Sequence, residues 1–323
     1  MMWQQIVSHD GPLLIRFALI ASALVAALVL PLAQRFNPLY WLSELAARMA
    51  TKVCRAGRSN RQQQIAGVLA TLLLLIPFWL IVLFLLELAA YPHFFEFAVL
   101  YCCMRDLHAR AEFQQVRRAL LVSDKATART LLSRWTSRDT DILSEAGIAK
   151  TAIELAVTSA AYGSIAAILF FWLGGVTLVL AAIMLKTLEQ CWSPSNPQYR
   201  QFSALLTHVN HWLFWLPVQA CRLTLAIQGG PAALTQLFNL GKFGLVQRGY
   251  LQICQLAAMI LSIELGGARK YHGVRIAVDK VGPNKLPTGT DIERALSLAN
   301  TSRWCWLGFS LIIPALWVLL RLR

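Results

Sequence analysis

Residues 65–86 read IAGVLATLLLLIPFWLIVLFLL. No position in that run carries a charge, and the run meets the roughly 20-residue length that a helix needs to cross the hydrocarbon core of a bilayer. A second run, 13–33, is apolar but for Arg16 near its start. Further along lie runs at 155–173 and 175–190, hinged at Gly174-Gly175, and then at 202–227, 251–265 and 304–320. Together they predict an all-α fold: a polytopic integral membrane helical bundle in a single membrane domain over 1–323, with amphipathic and extramembrane helices besides. The run 251–265 is short and ends in Glu264, which leaves a re-entrant or buried helix open there.

Composition agrees. Of 323 residues 57% are apolar and 14% charged, and the mean hydropathy is +0.54. A soluble domain of this size has no interior large enough for so much apolar side chain. The first run is too long for the core of a signal peptide and lacks a small-x-small cleavage pattern, so it is expected to be a retained anchor. A net charge of +14 raises nucleic acid as a partner. The basic residues, however, fall between apolar runs, where anionic lipid head groups and the bias of cytoplasmic loops explain them, so membrane lipid and not nucleic acid is the expected partner. Seven cysteines form no CxxC pair, so neither a zinc site nor a disulfide framework is indicated.

Between the runs the chain divides into three polar stretches. The loop at 34–64 carries Arg48, Lys52, Arg55, Arg58 and Arg61 against Glu44, the pattern of a cytoplasmic loop, which in a Gram-negative inner membrane would put the start of the chain in the periplasm. Basic residues on both sides of other runs, such as Arg303 before and Arg321 and Arg323 after the last, leave the orientation open. Within it, Trp41 to Val53 has helical apolar spacing, fitting either an amphipathic helix on the membrane or one packed on the bundle. Residues 105–150 form a polar helical insertion, with Asp124 expected to cap one helix and Thr140 or Asp141 to start another. Residues 266–303 are rich in Gly, Pro and Lys and read as a polar loop ending in a short helix over 291–299.

Phosphate loops, dinucleotide fingerprints, zinc-protease and nucleophile-elbow motifs are all missing. What stands out is SRDTDILSEAGIAKTAIE at 137–154, which sets Glu154 at the mouth of an apolar helix; an acid at such a place invites a functional reading. Glu154 also lies one turn from Lys150, and Glu189 lies at helical spacing from Lys186, so simple ion pairs fit both. Arg138 and Asp139 suit a surface pair or a cap equally well. His208 and His211 share a helix face but lack a third ligand nearby.

This block resembles the GRDT-to-IE segment of the cobalamin-biosynthesis CobD/CbiB family through Arg138-Asp139-Thr140, Leu143, Gly147-Ile148-Ala149 and Ile153-Glu154, with Ser137 in place of the Gly. The spacing continues through Gly163, Gly174-Gly175, Thr187-Leu188 in the family's NTLDS, Tyr199 and Phe202 in its YxxF, and Trp215 and Pro217 in its NWxP. Leu265-Gly266-Gly267, Tyr271 and Gly273 match its LGGxxxYxG, and Asp291-Ile292 with Arg294-Ala295-Leu296 its closing helix. The resemblance covers about 92 to 300, and before that only Asn37-Pro38-Leu39 is similar. It implies a membrane enzyme that joins aminopropanol or its phosphate to adenosylcobyric acid by an amide bond, with a corrinoid as substrate and Mg²⁺ and ATP as cofactors if the ligase activity is retained. Carried onto this chain, it makes Glu154 and Glu189 the catalytic candidates and Arg138, Asp139, Thr140, Thr187 and Tyr271 the substrate-binding ones.

The chain departs from the family at polar positions. Val157, Thr158 and Ser159 replace its AEN, and Tyr162 the Asp before Gly163; Lys186 replaces the Asn of NTLDS. Asn210 and His211 stand for a pair of Asp, Phe214 for an Asn, Gln219 for an Arg, and 245–251 for its HPSPNAG. Three functions therefore stay open: a divergent enzyme of cobalamin assembly, a non-enzymatic modulator or scaffold similar to AmpE-type membrane proteins, and a transporter. An oligomer is compatible with each.

Overall fold

In the computed structural model, residues 2–55, 57–238, 243–244 and 246–321 are described. Helix α1 (Met2–Val29) leads through a single 3₁₀ turn, Gln34–Phe36, into α2 (Pro38–Val53). Asn37 starts α2: its side chain accepts from the Leu39 amide at 2.9 Å and Pro38 occupies the first turn, where a missing N–H costs nothing. Leu39, Leu42, Ala46 and Ala50 are buried along one face against the bundle, and the Trp192 indole donates to the Ala46 carbonyl at 3.0 Å. Trp41, Leu45 and Arg48 lie on the exposed face.

The long apolar helix α3 (Asn60–Leu88) opens with a capping box between Ser59 and Gln62, which satisfies two otherwise orphaned amides. Most of its surface faces outward, with Ile65, Leu69, Leu73, Phe84 and Leu88 all exposed. Where it does touch the bundle it comes close: a Cβ on Gly67 would collide with the backbone carbonyl of Phe202. By length and composition, the stretches Asn60–Leu88 and Glu145–Cys191 are long and apolar enough to cross a membrane, and Leu13–Val29 is a shorter apolar helix.

Helices α4 (Pro92–Cys103), α5 (Arg105–Leu121) and α6 (Lys125–Ser133) follow. Asp124 caps α6 by accepting from the Thr127 amide, as its sequence suggests. The insertion is no surface appendage, since α5 buries Asp106, Leu107, His108 and Phe113. Helix α7 (Glu145–Tyr162) starts at Ser144, which accepts from Gly147, and not at Thr140 or Asp141. The Asp139 amide donates to the Lys270 carbonyl, and the Leu143 amide donates to the Thr140 carbonyl, closing a separate turn over Thr140 to Leu143, so the helix begins only after that turn.

The apolar run expected over 155–173 is interrupted at Gly163, where α7 ends and α8 (Ser164–Cys191) begins. A Cβ at Gly163 would meet the Asp106 carboxylate. The hinge at Gly174-Gly175 is present within α8 as a non-helical step, with Gly175 at φ 68°. The run 202–227 divides into α9 (Ala204–Leu213) and α10 (Trp215–Gln228), broken at Phe214. After the one-turn α11 (Pro231–Thr235) comes α12 (Arg248–Leu261), short and largely buried, so the run 251–265 is a buried helix that gives way to a strand.

Residues 266–303 also differ from a plain loop. Strand β1 (Leu265–Gly266) pairs with β4 (Lys280–Val281), and β2 (Arg269–Tyr271) with β3 (Val274–Ile276), both antiparallel. The short helix expected at 291–299 is the start of one continuous helix, α13 (Gly289–Arg321), which packs along α7 and α5. The core has two lobes. Ala152, Ile153, Ala156 and Val157 of α7 centre one and α8 the other, with Tyr162 and Trp306 touching both.

Candidate functional site

Helix α7 presents two polar faces. Glu154 and Thr151 look toward the hairpins, while Leu155, Ser159 and Tyr162, spaced at four and three residues, line a cavity on another side. Glu154 is fully buried. Its Oε2 accepts from Arg138 Nη2 at 2.8 Å, the Tyr250 hydroxyl at 2.7 Å and Arg269 Nη2 at 3.3 Å, and its Oε1 accepts from the Gly266 amide at 2.6 Å. Arg138 also reaches Thr151, and the Arg269 guanidinium lies 4.6 Å over the Tyr250 ring. Gly266 has φ 73°, and a Cβ there would strike the Asp279 carbonyl, so glycine is what lets that amide aim at the carboxylate. Burial opposes the charge on Arg138, and Tyr250 and Glu154 beside it more than offset this, raising its pKa above the ordinary arginine value. For Arg269 too, burial opposes the charge but Tyr250 and Glu154 prevail and raise the pKa.

The pairing of Glu154 with Lys150 suggested by their spacing is replaced by another. Lys150 turns to Glu264 at 2.7 Å, which also takes Lys280 at 3.1 Å. Arg138 and Asp139 do not pair with each other. Both Asp139 oxygens accept backbone amides, from His272 and Gly273, each at 2.9 Å. Those two residues have φ 46° and 82°, the left-handed pair that a tight two-residue hairpin turn needs. Thr140 and Tyr271 are buried beside this assembly. Arg138, Asp139, Glu154 and Tyr271 thus come together, though away from the cavities.

Thr187 and Glu189 sit elsewhere, at two adjoining cavities. The first, about 270 Å³, lies among α2, α5, α7 and α8, with Arg105, Arg134 and Lys186 in its lining. The second, about 290 Å³, lies among α8, α9, α10 and the start of α12. Tyr162 and Lys186 belong to both. Lys186 Nζ is 3.9 Å from the Tyr162 ring centroid and 2.7 Å from Glu189 Oε2, so the helical pair read from sequence is present. Arg105 Nη1 donates to Thr187 Oγ1 at 2.8 Å and to Gln190 at 3.4 Å. In the second cavity Asn210 Nδ2 donates to Glu189 at 3.2 Å, whereas Asn210 Oδ1 and Thr207 Oγ1, both buried, have no partner among the described residues. His211 lines that cavity, and His208 turns to the Ala204 carbonyl. No cluster of three His, Cys, Asp or Glu occurs among the described residues.

Sequence reasoning missed a third group. Asp106 accepts from the Ser164 amide at 3.0 Å, the Ser164 hydroxyl at 2.7 Å and Arg303 Nε at 2.9 Å, locking α5, α8 and α13 together. Both charges are almost wholly buried. Arg222, inside an apolar run and also buried, donates to Gln219 and, at 2.8 Å, to the Leu237 carbonyl; a cation within such a run was the available signal. His108 borders the first cavity, with Nδ1 accepting from the Leu32 amide and Nε2 donating to the Tyr101 carbonyl. Only a neutral ring makes both bonds, and burial lowers its pKa accordingly.

The donor set decides what the cavities can hold. Their carboxylates are Asp106, committed to Arg303 and Ser164, and Glu189, whose charge Lys186 already meets. Magnesium asks for oxygen ligands with charge to spare, and these residues do not fit a carboxylate-held Mg²⁺. Arg105, Arg134 and Lys186 do fit phosphate or carboxylate groups. Leu245, first of the residues replacing the family's HPSPNAG, lies outside the described residues.

Comparison with known proteins matches residues 19–299 to the family model described as CobD/Cbib protein. The chain is similar to the cobalamin biosynthesis protein CobD of Chromobacterium violaceum, 28% identical over 86% of this chain and 90% of that one. The CobD of Stutzerimonas stutzeri is 25% identical over 90% and 95%, and the cobalamin biosynthesis protein CbiB of Salmonella typhimurium 26% identical over 63% and 64%. No solved structure matches.

Proposed function

We propose, since the chain belongs to the CobD/CbiB protein family, that it acts in cobalamin biosynthesis from within the bacterial inner membrane, joining an aminopropanol or its phosphate to a corrinoid carboxyl by an amide bond. The observation that carries the reading is the pair of adjoining cavities that share Lys186, the first also lined by Arg105 and Arg134 and the second by Arg248 and by two acceptors without a partner among the described residues, with family-matched Thr187 and Glu189 in their walls. In this reading Arg105 and Lys186 hold an anionic phosphate or carboxylate. Asn210 Oδ1, Thr207 Oγ1 and Glu189 accept hydrogen bonds from an amine or hydroxyl. Phe214, Trp212 and Trp215 give the second cavity apolar walls that exclude water from the joined ends.

Neither cavity takes a whole corrin macrocycle, so the ring stays at the mouth and only its reacting arm enters. The outward apolar face of α3 supports burial in lipid. A nucleotide, if it drives the ligation, would bring its phosphates to the same cations. The modulator reading draws no support from the relatives named above.

The test is complementation of a bacterium lacking its own amide-forming synthase, supplied with cobyric acid and dependent on cobalamin for growth. Growth with the native chain and none with Arg105→Ala at equal membrane abundance is the expected result. No growth with the native chain, confirmed in the membrane, overturns the reading.

A further inference from the structure

Among the described residues Lys186 is the one Lys or Arg common to both cavities, and its surroundings resemble those of a bound ion more than those of a surface lysine. Its side chain is 18% exposed. The ammonium is held by Glu189 Oε2 at 2.7 Å, lies 3.9 Å from the centre of the Tyr162 ring and faces the Phe214 ring at 5.7 Å. A carboxylate and two aromatic faces fix a cation in place and leave its remaining donors for a ligand. The neighbouring residue, Thr187, anchors Arg105, which brings a second cation to the same wall. Asn210, a neutral amide, donates to the same Glu189 oxygen, and its Oδ1 is buried without a partner among the described residues.

The substitutions along this wall point the same way. Relative to the motifs it resembles, the chain has Lys186 for an Asn and Asn210 and His211 for two Asp. Each exchange makes the wall more positive, and together they remove the acids that would compete for a divalent ion while supplying a positive charge where one would be attracted.

We propose that Lys186 is a tethered cation standing in for a protein-held divalent metal at the junction of the two cavities, so that an anionic ligand group, phosphate or carboxylate, binds there through Lys186 and Arg105 without magnesium. The proposal rests on reading the cavities as a ligand site but not on which reaction occurs there. It also gives the Glu189–Lys186 pair a role: Glu189 positions the ammonium, and removing its charge leaves Lys186 more attractive to anions.

The experiment uses the full chain in detergent, with labelled inorganic phosphate in equilibrium dialysis and Mg²⁺ alone in isothermal titration. The native chain is expected to bind phosphate equally in EDTA and in millimolar Mg²⁺, and to show no saturable Mg²⁺ binding. Lys186→Gln is expected to weaken phosphate binding by about tenfold or more, the usual weight of a charge-assisted contact, with Lys186→Arg retaining most of it and helical content unchanged in both. The combination Lys186→Asn, Asn210→Asp and His211→Asp is expected to gain Mg²⁺ binding and make phosphate binding magnesium-dependent. Phosphate binding that EDTA abolishes in the native chain, or that Lys186→Gln leaves intact, overturns the proposal, as does absence of phosphate binding to the native chain. Failed complementation beside magnesium-independent phosphate binding sinks the cobalamin reading and leaves the tethered cation standing; the reverse pattern does the opposite.

Discussion

Two buried carboxylates on neighbouring helices, Glu154 and Glu189, keep different company. Around Glu154, two arginines, a tyrosine hydroxyl and a backbone amide converge on one fully buried group, with Arg269 Nε left over. Around Glu189 there is one lysine and one amide, and beyond them two buried polar atoms that nothing in the described chain satisfies. A carboxylate whose own bonds are complete, as at Glu154, specifies a structure and has little capacity for a ligand. One that is incomplete beside a cavity costs stability and is retained where a ligand completes it. The family-matched residues thus divide into a set that builds the scaffold and a set that faces the cavities.

The sharpest way to break that division is to neutralise each acid. Glu154→Gln leaves two arginines buried without a counter-charge, and the expected loss is about 3–5 kcal/mol, read as a large fall in thermal midpoint in detergent. Glu189→Gln leaves Lys186 at the wall of two cavities instead of sealed in the core, and a smaller loss of about 2 kcal/mol is expected, between the exposed and the buried cases. Equal losses would show that Glu189 is as structural as Glu154.

How much of this was legible depended on how far apart the partners are in the chain. Glu154 announced itself as an acid beside an apolar run, yet helical spacing offered Lys150, because local rules see four residues and Arg269 is 115 away. The Gly174-Gly175 hinge was readable because two glycines interrupt an apolar run. Gly163 was readable only as a motif residue, since what breaks the helix there is Asp106, 58 residues upstream of Ser164. Arg303 looked like a loop charge before a span, and only tertiary packing turns it inward onto Asp106. The motif spacing carried the family assignment intact, but spacing along the chain says nothing about which matched residues share a cavity, and here they divide between two places.

The Asp106 group tests whether satisfaction or mere burial is what counts. Asp106→Asn strips the charge from a pair in which both members are buried, with an expected cost of about 3 kcal/mol. Adding Arg303→Met, which removes the stranded cation, should recover a measurable part of it. Were the double variant no more stable than Asp106→Asn alone, the cost would lie in the Ser164 contacts, and the resemblance between this group and the one around Glu154 would fail.

A smaller effect is expected from pH, through His108. Its folded pKa lies below the ordinary histidine value of about 6.5. Above that value the ring is neutral in both states and the contribution is complete. As pH falls below it, the unfolded chain takes up the proton first, so stability drops. The thermal midpoint should therefore decline between pH 7.5 and 5.5, and by less in His108→Gln. An identical decline in the variant would remove His108 from the account.

The smallest expected change bears most directly on the second cavity. Thr207→Val exchanges a buried hydroxyl that has no partner for a methyl group of nearly the same shape. If the hydroxyl is idle in the folded protein, losing it relieves a desolvation penalty, so stability should stay level or rise by up to about 1 kcal/mol. Growth in the complementation assay should fall at the same time, because the acceptor is gone from the cavity. A gain in stability joined to a loss of function is the signature of a group kept for a ligand. A loss of stability instead would mean that the hydroxyl already has structural work, and the contrast between the surroundings of Glu154 and those of Glu189 would weaken where it is most specific.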